Sequence, residues 1–190
     1  MNERHRIIII TAPSGAGKTS ITRYLLNKYP QLSFSVSAAT RPPRSHEKNG
    51  VDYYFLSLDD FKQKIVNGEF AEWEMVYEGK YYGTLKSELE RVWNSGRTPL
   101  LDIEVKGAIH IQEQYPASVL SIFIEPPSVD ELKRRLEMRG TETDETLLAR
   151  VNKAAYEISF KHHFDKIIVN NELEAACRQA DAIVKEFLGL

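Results

Sequence analysis

The sequence predicts an α/β protein, with a parallel-sheet core carrying helices on both faces, a small inserted mixed β-sheet region and a helical lid. Three observations carry that reading. Four consecutive isoleucines, Ile7–Ile10, lead through a glycine-rich turn into an amphipathic stretch, Ser20–Lys28. Short apolar runs then alternate with capped helical segments through the second half of the chain. Between the two, Ser35 to about Lys86 is aromatic and β-rich, as a separate sheet inserted after the first strand and helix would be.

Taken in order, the runs with strand character are Ile7–Thr11, Tyr53–Leu56, Pro99–Ile103, Leu120–Ile124 and Lys166–Val169. All but Tyr53–Leu56 lack polar alternation, the mark of strands covered on both faces. Helices are punctuated by their caps. Ser57, with Asp60 three residues on, opens one that ends near Gly68; Thr84 opens another that ends near Gly96. Ser128 and Glu131 form a capping box for a helix expected to stop at Gly140. A further helix is expected from near Thr143 past Tyr156, and a last one over Glu172–Phe187. Residues 1–36, 87–125 and 158–190 form the expected core, 37–86 the β-rich insertion and 126–157 the lid, which carries Arg134, Arg135, Arg139 and Arg150.

A chain of 190 residues can bury one substantial core. Its formal net charge of −2 provides no general attraction to nucleic acid or to an anionic membrane, so any anion site must be local. Cys177 is the single cysteine, which excludes an internal disulfide and points to the cytoplasm. The isoleucine run is too short for a membrane span. Monomer and homo-oligomer both remain open.

The turn after the first strand reads Ala12-Pro13-Ser14-Gly15-Ala16-Gly17-Lys18-Thr19, followed by Ser20 at the head of a helix. Strand, loop and helix in this order are the context of a P-loop. Glycines let successive N–H groups turn inward onto phosphate oxygens, and the helix N-terminus adds the positive end of its dipole. Lys18 would bridge the terminal phosphates and Thr19 would ligate Mg²⁺. The first glycine of the usual pattern is Ala12; alanine costs about 1 kcal/mol if that position needs positive φ, and nothing otherwise. A GTPase would carry Asn-Lys-x-Asp, but Asn152-Lys153 is followed by two alanines. Asp102, closing an apolar run, is a candidate acid near the metal. A small-molecule kinase is what remains.

In the insertion, Arg41 precedes a proline and is driven toward extended geometry, which sets Arg41 and Arg44 on one face at about three residues per turn. Two guanidiniums on a stiff segment suit a phosphate monoester bearing about two charges. Glu72 stands between Phe70 and Trp73, where a half-buried carboxylate could accept paired hydrogen bonds from a base edge.

These stretches, together with Ser35-Val36-Ser37, Gly50…Tyr53, Tyr81-Tyr82-Gly83-Thr84, Leu101-Asp102-Ile103-Glu104…Gly107, Pro126-Pro127-Ser128…Arg135…Arg139-Gly140 and Ile168-Val169-Asn170, resemble the guanylate kinases from Ile7 to about Phe187. The resemblance implies transfer of the γ-phosphoryl group of ATP to GMP, and to dGMP, with Mg²⁺ as cofactor. It implies that Arg41, Arg44, Tyr53 and Tyr82 hold the GMP phosphate, and that Ser37, Glu72 and Thr84 read guanine, with Asp102 and Glu104 nearby. ATP would lie on Pro13 to Ser20, with Arg135, Arg139 and Arg150 approaching its phosphates and Asn170 beside the adenine. Lys18, Arg41, Asp102 and the three lid arginines would serve the transfer, with Thr19 on Mg²⁺ and Asp102 positioning either metal-bound water or the acceptor. Two other readings stand beside this one: a P-loop kinase for another small phosphate, and a non-catalytic guanylate-kinase-like binding module. The latter typically has a damaged phosphate loop, whereas Lys18, Thr19, Arg41, Arg44 and Asp102 are all present here.

Overall fold

The computed structural model describes residues 5–138 and 144–190. Arg139, the helix stop expected at Gly140 and the helix start expected at Thr143 lie outside the described residues. In chain order the elements are β1 (Ile7–Thr11), α1 (Lys18–Lys28), β2 (Leu32–Phe34), β3 (Ala38–Ala39), β4 (Tyr54–Phe55), α2 (Leu58–Val66), β5 (Phe70–Tyr77) and β6 (Lys80–Leu85). They continue with α3 (Lys86–Asn94), β7 (Thr98–Asp102), α4 (Val105–Gln114), β8 (Val119–Glu125), α5 (Val129–Met138), α6 (Asp144–Ile158), β9 (Lys166–Val169) and α7 (Leu173–Leu188). A five-stranded sheet runs β2-β7-β1-β8-β9, and a four-stranded mixed sheet runs β4-β3-β6-β5. The α/β architecture expected from the sequence is the one found.

Two compact units divide the chain, with the boundary inside β1. One comprises Ile9–Tyr29 with Leu120–Leu190. Its β8 and β9 pair in parallel, Ile122 opposite Lys166 through Glu125 opposite Val169. Ile122, Phe123 and Ile124 are fully buried, as their unbroken apolar run requires. In β9 only Ile168 is buried, because this strand lies at the end of the sheet; burial on both faces was the wrong expectation for it. Ser128 caps α5 by accepting the Glu131 N–H at 3.0 Å. The Tyr29 hydroxyl donates to Asp181 at 2.7 Å and Lys28 pairs with the same carboxylate at 2.8 Å, tying α1 to α7.

The other unit holds Pro30–Val119 with the chain up to Ile8. Here β2 pairs in parallel with β7, and the mixed sheet forms from β3 parallel to β4 and antiparallel to β6, with β5 antiparallel on the other side of β6. Ser57 caps α2 through the Asp60 N–H, as its spacing predicts. Phe61 of α2 stacks on Phe70 of β5 with centroids 4.3 Å apart, closing a small core with Ala38 and Leu85. Thr84 departs from its expected part as a helix cap. It lies inside β6, and Leu85 is the residue before α3.

Candidate functional site

In the first unit the glycine-rich turn departs from β1 and ends at Lys18, the first residue of α1. Gly15 and Gly17 have φ of 96° and 97°, a region that residues with a side chain rarely adopt. Among the described residues no non-glycine has positive φ, so alanine at position 12 costs nothing. The Ala16 N–H donates to the Pro13 carbonyl at 3.1 Å, turning the loop back on itself. Ser14, Thr19 and Ser20 are exposed, whereas Gly15, Gly17 and Lys18 are half-buried.

Asn170 follows β9 and is 4% exposed. Its side-chain amide donates to the Ala16 carbonyl at 2.7 Å, and its backbone N–H donates to the Glu125 carbonyl at 2.8 Å. A Cβ at position 17 would stand 2.2 Å from the same amide nitrogen, so this glycine is required both by its φ and by Asn170. The residue expected beside adenine therefore uses its side chain on the phosphate loop. Arg135 of α5 donates to the Asn170 carbonyl at 3.0 Å and to Glu131 at 2.9 Å. The guanidiniums of Arg134 and Arg135 hold the Glu131 carboxyl down to about 2. Leu132 and Leu136 of the same helix lie against Gly15, where a Cβ would meet them at 3.2 and 3.1 Å. Arg150 of α6 reaches the Ser14 hydroxyl at 3.4 Å. Arg135 and Arg150 thus both lie against the loop or its clamp.

The second unit gathers Arg41, Arg44, Tyr53 and Tyr82 around a residue that the sequence reasoning missed. Glu47 takes both arms of Arg41, Nη1 and Nη2, at 2.6 Å each, and accepts the Arg44 backbone N–H at 2.8 Å. Arg41's guanidinium holds this carboxyl down to about 2. The guanidinium also stands over the Tyr53 ring at 4.8 Å and the Phe55 ring at 5.6 Å, and Tyr53 meets Tyr82 edge-on at 6.0 Å. Arg44 is exposed, and its charge also favours the ionised Glu47 carboxyl. A local signal was available: Glu47 stands six residues from Arg41 and three from Arg44, and the turn closed by the Glu47 N–H on the Arg44 carbonyl at 3.0 Å brings its carboxylate back to them.

Nearby on the mixed sheet, Glu72 of β5 and Thr84 of β6 are direct cross-strand partners. The Thr84 hydroxyl, fully buried, donates to Glu72 Oε1 at 2.7 Å. Glu72 is itself 6% exposed. Burial pushes its carboxyl up to about 7, and the negative charges of Glu74 and Glu104 push the same way. Ser37, immediately before β3, is buried, and its carbonyl accepts the Tyr54 N–H at 2.9 Å. Its neighbour Val36 is anchored by the buried Glu88, which also accepts from the Tyr54 hydroxyl at 2.9 Å. Asp102 ends β7 and Glu104 precedes α4, both half-buried, while Lys106 is exposed. Every residue expected to bind the acceptor thus falls in this unit, and every described residue expected to bind the donor falls in the other.

A profile of the guanylate kinase family matches residues 4–187. A guanylate kinase of Bacteroides fragilis is 49% identical over 185 residues, covering 97% of this chain and 91% of that protein. One of Porphyromonas gingivalis is 46% identical and covers 96% and 98% respectively. The crystal structure of guanylate kinase from Anaplasma phagocytophilum superposes with a TM-score of 0.77 at 33% identity, covering 95% of this chain and 85% of that one. On motif order, fold and similarity along nearly its whole length, the chain belongs to the guanylate kinase family.

Proposed function

We propose that the chain transfers the γ-phosphoryl group of ATP to GMP, yielding ADP and GDP, and accepts dGMP as well. The observation that carries the choice of acceptor is a buried carboxylate, Glu72, held by the Thr84 hydroxyl in the same unit as the Arg41 group. Guanine presents N1–H and N2–H₂ as adjacent donors that one carboxylate accepts in parallel. Adenine offers a bare N1 there, so Glu72 would face a lone pair and lose two bonds, each worth roughly 1.5–3 kcal/mol when charged. Sites built to bond a particular group reject analogues lacking it by about 10⁴. Ser37 and Thr84 complete the reading of the base, and Arg41, Arg44, Tyr53 and Tyr82 hold its phosphate.

The donor triphosphate would lie on the amides of residues 13–20, with Lys18 on its terminal phosphates and Arg135, Arg139 and Arg150 neutralising charge. Phosphoryl transfer then needs alignment of an acceptor oxygen with the γ-phosphorus and positive charge around the equatorial oxygens. The exposed Thr19 hydroxyl at the head of α1 suits Mg²⁺, which takes one or two protein ligands and completes its shell with water and phosphate. Bound there with ATP, Mg²⁺ would offset the charge of the β- and γ-phosphates; Asp102 would orient its water. In function the chain divides into a core, a GMP-binding region over 37–86 and a lid over 126–157 that excludes water. The cytoplasm is its expected compartment.

A coupled ADP-release assay with Mg-ATP against GMP, dGMP, AMP, UMP and CMP tests this reading. GMP should be turned over at least a hundredfold faster than AMP, and Glu72→Ala should abolish that preference while leaving ATP affinity in place. Equal rates for all acceptors would make this a kinase for another phosphate, and no turnover would make it a binding module.

A further inference from the structure

Gly107 occupies the third position of α4, and neither its backbone nor its helix explains it. Its φ is not among the positive values, so the chain there would accept any residue. Within a helix, glycine is disfavoured against alanine. What its Cα faces is Glu72. A Cβ built at position 107 would stand 2.3 Å from Glu72 Oε2 and 2.9 Å from its Cδ, closer than real Cβ contacts come. Glu72 is 6% exposed, and its Oε1 accepts the Thr84 hydroxyl at 2.7 Å, the contact it must give up to move away.

We propose that Gly107 is a specificity-determining position, whose missing side chain makes the seat that fixes the Glu72 carboxylate for guanine. The inference rests on the reading of Glu72 as the purine selector. The same geometry says what gives way when the seat is filled. The contact is with the end of a side chain and not with backbone. A methyl group at position 107 therefore swings the carboxylate away from α4 and off the Thr84 hydroxyl, and the fold remains. The base loses its paired acceptor in ground state and transition state alike, so the effect falls on KM for GMP more than on kcat.

A double-mutant cycle on the full chain tests this, with ADP release against GMP and AMP as the readout and the KM for ATP as the control. Gly107→Ala should lower kcat/KM for GMP by about tenfold or more, mainly through KM, and narrow the preference over AMP, with the KM for ATP within about twofold. In a Glu72→Ala background the same change should cost less than about twofold, since the clashing atoms are gone. Equal losses in both backgrounds, or no loss beside an intact Glu72, would overturn the proposal. Should Gly107→Ala fail to fold, a folded Glu72→Ala/Gly107→Ala double variant still supports it, and an unfolded one overturns it. If Glu72→Ala alone leaves GMP use intact, the selector reading fails and the proposal with it. If Glu72→Ala destroys GMP use but Gly107→Ala does not, only the proposal fails.

Discussion

Selection of GMP should be lost on mild acidification, and the midpoint is set by one buried group. Burial raises the Glu72 carboxyl to about 7 from its ordinary 4.5. Pairing with the two guanine donors needs the ionised form, so GMP binding must release a proton below that midpoint. About nine-tenths of the carboxyl is ionised one unit above the midpoint and about one-tenth one unit below, so kcat/KM for GMP should fall about tenfold from pH 8 to pH 6. The GMP phosphate titrates near 6 itself, at roughly the second pKa of a phosphate monoester. The informative quantity is therefore the ratio of the native enzyme to Glu72→Gln at each pH, which cancels the substrate's own titration. That ratio should rise through about pH 7 and level off above it, with kcat at saturating GMP changing much less. A flat ratio, or a midpoint below about 5, would refute the argument from burial. The same shift has a stability counterpart of opposite sense. With its folded value raised from 4.5 to about 7, this group favours folding fully below 4.5. That contribution is lost as pH rises through 7, by about 3 kcal/mol at most. The stability of Glu72→Gln relative to the native chain should accordingly increase with pH across that window in urea titrations.

Two further outcomes follow from contacts already described. Glu47→Ala releases Arg41 from its bidentate partner and the Arg44 N–H from its acceptor, so KM for GMP should rise about tenfold, the scale of one charged hydrogen bond. A matching rise in KM for ATP would show general damage instead. Asn170→Ala removes the hydrogen bond donated to the buried Ala16 carbonyl and should cost about 1–3 kcal/mol in urea unfolding. It should also weaken ATP and GTP as donors alike, since the loop is what loosens; a loss confined to ATP would return Asn170 to the adenine.

Much of this was legible where physical rules act over a few residues. The isoleucine strand, the glycine turn and the caps at Ser57 and Ser128 follow from backbone hydrogen bonding and φ alone. The inserted sheet was legible only as a region. Its β3 and β4 are two residues each, too short for alternation to register. The edge strand β5 carries register shifts between Phe70 and Glu72 and between Met75 and Tyr77, which break the two-residue period. Thr84 illustrates the ambiguity. It stands two residues before Lys86, the first residue of α3, close enough to read as a cap in the sequence, yet it lies in β6 and donates across the sheet to Glu72.

Local rules were thus enough for the phosphate loop, its helix and the presence of two arginines on a stiff segment, because each depends on neighbours in sequence. The tertiary structure alone decided that Asn170 clamps Ala16 and that Gly107 leaves space for Glu72. Residues 16 and 170, or 72 and 107, meet only once strands and helices have packed, and no periodicity links them. Burial decided the rest. A carboxyl's charge near neutral pH depends on how much water it loses, which is a property of the folded surface and not of the residues beside it.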